Sequence, residues 1–149
     1  MKHTVCFMVI AVVGLIAALP AAAQSTQSFK ADLHDNFACP PGFDFCGKGL
    51  VHGFGTATTT LNFTGAVPGP GDCLTATANR TITLDSDGSA LFIAIAGTIC
   101  DQKLDATFTI TGGTGAFDGA SGGGTLEGTA TGVPVPSDTI HLRGSLTLP

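Results

Sequence analysis

The chain of 149 residues has no tryptophan, no tyrosine and only two methionines, and glutamate occurs once, at Glu127. Charged residues make up 11%, less than half of the roughly 25% usual in soluble domains. A coiled coil or long helical protein is excluded, because it needs abundant Glu, Lys, Leu and Arg. A charged disordered tail is excluded as well, since 44% of the residues are hydrophobic. The missing Trp and Tyr argue against sugar recognition, which generally stacks pyranose rings on those amphipathic side chains. Positive charge is equally sparse. Beyond Lys2 it amounts to Lys30, Lys48, Arg80, Lys103 and Arg143 against eleven acids, a balance of 5 − 11 = −6. These cations are scattered, without a stripe to follow phosphates, so nucleic acid and anionic membrane surfaces are not expected partners.

What is present begins with an export signal. Lys2 and His3 precede an apolar run from Val5 to Leu19, and Pro20 breaks it before Ala21-Ala22-Ala23. Small residues at the −1 and −3 positions predict cleavage ahead of Gln24. The run is shorter than the about 20 apolar residues a spanning helix requires. The expectation is therefore a signal peptide over 1–23 and one secreted domain over 24–149, extracellular or periplasmic, with no membrane anchor after cleavage.

Removing Cys6 leaves Cys39, Cys46, Cys73 and Cys100, an even number that in an exported chain predicts two disulfides. Three connectivities are open, and strand register selects among them. Thr75–Leu84 and Ala90–Ile99 are strand-like runs flanking Asp85-Ser86-Asp87-Gly88. If those four residues form the hairpin loop, facing positions sum to 173, and Cys73 falls opposite Cys100. Parity alone also allows a two-residue Asp87-Gly88 turn, and the cysteines decide between the two. The remaining bond is then Cys39–Cys46. No metal site is expected, because the spacing is not Cys-x-x-Cys and an oxidising compartment favours disulfides.

Alternation with period two dominates the rest of the chain, punctuated by Gly, Pro and Asp clusters. Phe29, Ala31 and Leu33 mark a first strand. Leu50–Thr64 reads as one long strand with a bulge or sharp bend at Gly53-Phe54-Gly55, followed by a loop over Val67–Asp72. Leu104, Ala106, Phe108 and Ile110 mark another strand, and Thr125–Gly132 resumes the alternation. Val133-Pro134-Val135-Pro136 turns the chain. Ile140, Leu142, Leu146 and Leu148 finish a last strand, with His141, Arg143, Ser145 and Thr147 on its other face. Seven or eight short strands without a helix give an all-β fold: an antiparallel closed barrel of about eight strands, or alternatively a β-sandwich. Leu91–Ile99 is apolar on both faces, which points to cover on both sides and to a homo-oligomer.

Thr109–Gly122 is the most distinctive stretch. A strand ends, a tight glycine turn follows, and Phe117 stands among residues with little or no side chain. Phe117 reads as a plug at the end of the core. The glycines do not make a dinucleotide fingerprint, because position 118 is Asp where that motif needs Gly. A calcium β-roll fails too, since it would need Asp where Phe117 stands. The segment resembles the strand-loop signature of the allene oxide cyclase barrel and dirigent-like families, Gly-Thr-Gly-x-Phe-x-x-Ala-x-Gly, through Gly113, Thr114, Gly115, Phe117, Ala120 and Gly122. The likeness covers about 14 residues closely. It implies a closed eight-stranded barrel with a central cavity, often a trimer, in a family that includes a fatty-acid epoxide cyclase and proteins directing phenolic radical coupling. The loop, with Gly119, is structural in that family, so it transfers fold and not chemistry.

Candidate chemistry is sparse. Glu127, His141 and Arg143 sit on polar strand faces and form one constellation; lining a cavity, Glu127 would serve as a general acid or base. Asp85-Ser86-Asp87-Gly88 lacks the later ligands of a calcium loop and reads as a turn. His34 and His52 read as plain polar positions, and no Gly-x-Ser-x-Gly elbow presents a nucleophile. No cofactor is expected. Three functions remain: a secreted non-catalytic barrel that binds a small apolar molecule or serves as a structural module, a cofactor-free cyclase or isomerase acting on a hydrophobic substrate, and a self-assembling surface protein.

Overall fold

The structure, a computed structural model, describes residues 24–36, 38–131 and 137–149. The leader and the Val133–Pro136 turn read from the sequence lie outside the described residues. Eight strands follow in chain order: β1 Ser25–Asn36, β2 Phe45–Val51, β3 Gly55–Pro68, β4 Leu74–Leu84, β5 Ala90–Cys100, β6 Lys103–Gly113, β7 Ser121–Thr131 and β8 Ser137–Leu148. Each pairs antiparallel with its sequence neighbour, and β1 closes onto β8 from Ser25↔Leu148 to Asp35↔Asp138. The sheet is a closed barrel with no free lateral edge, which settles the choice against a sandwich.

The alternation in the sequence maps directly onto this wall. Phe29, Ala31 and Leu33 of β1, Ile82 and Leu84 of β4, Leu91, Ile93 and Ile95 of β5, Phe108 and Ile110 of β6, and Ile140, Leu142 and Leu146 of β8 all point inward and are buried. Their Thr and Ser neighbours face outward, because successive side chains on a strand alternate between faces. Some strand boundaries differ from the reading above: β3 runs on through Val67 and Pro68, the start of the expected loop, and β7 begins at Ser121, before Thr125. Gly53-Phe54-Gly55 reverses the chain between two strands instead of bending one, with Val51 facing Gly55. Gly53 and Gly55 take φ of 85° and 114°, values open to glycine at little cost.

The expected hairpin register is realised. Ile82 faces Leu91, Ala78 faces Ile95 and Leu74 faces Ile99, and a disulfide joins Cys73 to Cys100 just beyond. A second disulfide closes the short Cys39–Cys46 loop. The glycine run in β7 has a packing reason. Gly124 lies opposite Phe108 on one side and Gly144 on the other, while Gly144 lies opposite Phe29. A Cβ at Gly124 or Gly144 would collide with backbone across the ladder. The Phe29 and Phe108 rings meet edge to face at 5.8 Å over this small-residue patch.

The two barrel ends are built differently. At one end, the β6–β7 connection makes a single 3-10 turn at Gly115–Phe117, which tucks Phe117 fully inside against Phe54 at 5.0 Å between ring centroids. Phe117 is thus the core plug expected from the sequence. Gly115 holds a φ of 61°, and Ser89 Oγ accepts from the Ala116 N–H at 2.9 Å. Asp87 in turn accepts from Ser89, which holds its carboxyl below the ordinary value and fixes the Asp85–Gly88 segment as a turn. The opposite end carries the connections after β1, β3 and β5, and both disulfides. That end is open.

Candidate functional site

The open end leads into a cavity of about 160 Å³, lined almost throughout by apolar side chains that include Phe45, Leu61, Phe63, Ile95, Ile99, Leu104, Leu126 and Ile140. The polar exceptions are Asp35, Arg80 and Asp138. Each follows an inward-facing apolar series: Asp35 comes after Phe29, Ala31 and Leu33, Arg80 lies between Ala78 and Ile82, and Asp138 precedes Ile140 and Leu142. Strand parity therefore carries three charged side chains into the barrel.

Arg80 is 2% exposed, as is Asp35. The guanidinium spans the carboxylate, with Nη2 donating to Asp35 Oδ2 at 2.5 Å and Nη1 to Asp35 Oδ1 at 3.1 Å. Nη1 also donates to the buried Thr59 hydroxyl at 2.9 Å. Such two-point pairing suits the planar fork of Arg and a carboxylate. Asp138 stands directly across the β1–β8 seam from Asp35. Burial pushes its carboxyl above the ordinary value of 3.8; the neighbouring Asp35 charge adds to the rise and Arg80 opposes it. Among the described residues, Arg80 Nε and Asp138 Oδ1 are buried without a hydrogen-bond partner. Unsatisfied buried polar atoms are rare and costly, and these two belong to side chains lining the same cavity.

The rise at Asp138 fixes the sign of a pH effect. A carboxyl whose folded value lies above its unfolded value stabilises the fold fully below the unfolded value, and that stability is lost as pH rises through the folded value. The stability of the wild type relative to Asp138→Asn is therefore expected to be greatest below pH about 3.8 and to decline as the pH is raised. Urea midpoints of the two proteins measured in parallel across pH check this. A difference that stays constant with pH would show Asp138 to titrate like an exposed carboxylate.

The residues singled out from the sequence lie elsewhere. Glu127 and His141 face each other across β7 and β8, with Arg143 two residues further along, and all three are on the outer wall and not in the cavity. His141 Nδ1 meets Asp32 Oδ1 at 2.5 Å, and His52 Nε2 meets Asp32 Oδ2 at 2.6 Å. Hydrogen bonds from His52, then His141, hold the Asp32 carboxyl below its ordinary value. His52, read from the sequence as a plain polar position, thus shares the Asp32 carboxylate with His141. His34 Nδ1 lies 3.3 Å from the Thr139 hydroxyl. Among the described residues, no group of three or more His, Cys, Asp or Glu side chains is placed to hold a metal ion.

Fold and site together define the class: a closed eight-stranded antiparallel barrel, plugged by an aromatic at one end, with an apolar cavity, a buried Asp35–Arg80 pair and a half-buried Asp138 at the other. Among solved structures, the chain is similar to the pterocarpan synthase dirigent protein GePTS1, with a TM-score of 0.47 and 13% identity over 87% of this chain and 88% of that one. No protein-family model matches the sequence, and no curated protein matches it either.

Proposed function

We propose that this is an exported protein, cleaved after residue 23, whose single domain binds a small, mainly apolar molecule carrying one neutral polar group. The observation that supports this most is the pair of unpartnered buried atoms, Arg80 Nε and Asp138 Oδ1, on side chains lining an otherwise apolar cavity. A hydroxyl accepts from the first and hydrogen-bonds the second, whichever protonation state Asp138 holds. A carboxylate ligand is disfavoured, because Arg80 is already committed to Asp35 and Thr59 and a second carboxyl stands beside it. A cavity of this size holds one body about as large as benzene. Hexan-1-ol is therefore expected to bind, and hexanoate at neutral pH to bind at least about tenfold more weakly, as a buried unpaired charge demands. Calorimetric titration of both probes tests this, and equal affinity for the two would overturn it.

A catalytic reading, a cofactor-free cyclase or isomerase, draws support from one feature. Asp138 is a half-buried carboxyl whose raised pKa favours the protonated acid, poised at a cavity beside an ionic pair. In that reading Asp35, Arg80 and Asp138 take the place of Glu127, His141 and Arg143. Self-association is proposed for the outer wall. β3, β4 and β5 carry no outward charge, since Arg80 alone among them is charged and it points inward, and Phe92 lies 39% exposed there.

A further inference from the structure

The cavity's charged groups come from Asp35 and Asp138, paired near the ends of β1 and β8, and from Arg80 within β4; the rest of its lining is apolar, and that apolar surface continues outward along β3 to β5. β3 runs on for seven residues past Leu61, its last pairing with β2, to Pro68, and stays paired with β4 down to Leu74. Cross-strand partners share a face of the sheet. Ala76 and Ile99 line the cavity, Ala66 faces Ala76, Leu74 faces Ile99 and Pro68 faces Leu74. The projecting part of β3, β4 and β5 is therefore an apolar ramp that continues the cavity wall outward, through Phe63, Ala66, Pro68 and Leu74. Phe63 is 41% and Leu74 37% exposed, so this surface is apolar and not covered by the described residues. The Cys73–Cys100 disulfide ties the top of the ramp together beside Leu74.

Resting on the binding role proposed above, the geometry points to a second, outer subsite on this ramp, and to a ligand that is a single-headed amphiphile. Its neutral hydroxyl end meets Arg80 and Asp138, while an alkyl tail too long for the cavity leaves across Phe63 and Leu74. The ramp's occupant is this tail, because the ramp is continuous with the wall that holds the rest of the ligand. Asp72 and Asp101 stand in the turns at the top, so a second anionic group at the far end of the tail is repelled.

Primary alcohols of increasing length test this. Full burial of a methylene is worth about fourfold in affinity, and a half-covered one about twofold. From hexan-1-ol to decan-1-ol the wild-type affinity should therefore rise about twofold per added carbon. Leu74→Ser, with Leu74→Ala as the milder companion, should reduce the decan-1-ol to hexan-1-ol ratio. Asp138→Leu should weaken all the alcohols by a common factor and keep the ratio. An unchanged ratio in both Leu74 variants, or no gain beyond hexan-1-ol in the wild type, would remove the outer subsite and leave the cavity reading standing. Absence of binding by every alcohol would overturn the cavity reading itself, and the ramp with it.

Discussion

Replacing Arg80 with alanine is expected to lower the unfolding free energy by about 3–5 kcal/mol at pH 7, the loss typical when one partner of a buried ion pair is removed. The mechanism is the stranded charge. Asp35 would keep a carboxylate 1% exposed at its side chain, with Thr59 no longer bound to the guanidinium and Asp138 directly across the seam. A double variant, Asp35→Asn with Arg80→Met, separates stranding from packing. Replacing both members of a buried pair by neutral groups is often tolerated, so the double variant should recover most of the stability that Arg80→Ala loses. Denaturant unfolding of the wild type and both variants at pH 7 measures this. A loss below about 1 kcal/mol, in the range of an exposed pair, would show that the cluster is solvated and not sealed.

The same cluster shows what strand parity carries and what it leaves out. Period two is nearly all that a closed barrel asks of its strands, and Thr against Leu, Ile, Ala or Phe supplied it. The Cys73–Cys100 register, the turn at Asp85–Gly88 and the Phe117 plug were accordingly legible. Asp35, Arg80 and Asp138 obey the same parity, so their inward direction was present in the sequence too. The polar strand faces point instead to Glu127, His141 and Arg143, the outward residues. A charged residue in phase with an apolar series is the more informative signal, because burying it demands a partner. What parity could not supply was the pairing itself. Asp35 and Arg80 lie 45 residues apart, and the meeting of Asp35 with Asp138 depends on where β1 closes onto β8. That closure is also why Gly53-Phe54-Gly55 looked like a bend: only the ladder from Val51 to Gly55 shows the chain turning back.

Phe117→Ala is expected to lose about 3–5 kcal/mol, as large aromatic truncations in a core do. Phe117 is 0% exposed and closes the barrel end away from the cavity. Its backbone is held independently of the ring: its N–H donates to the Thr114 carbonyl, the Thr114 N–H to Ala90, and its own carbonyl accepts from Ala120. The 3-10 turn should therefore survive while the ring's space empties, and the neighbours pinned in the strand ladders can collapse into it only partly. Part of the loss belongs to the pair with Phe54, and a double-mutant cycle with Phe54→Ala should return a coupling of about 0.5–1.5 kcal/mol. Because plug and cavity occupy opposite ends, hexan-1-ol affinity measured well below the lowered melting temperature should stay within about twofold of wild type, distant sites being nearly independent. A large fall in affinity alongside the loss of stability would mean that the barrel transmits packing defects along its axis, and the plugged end would then belong to the binding site.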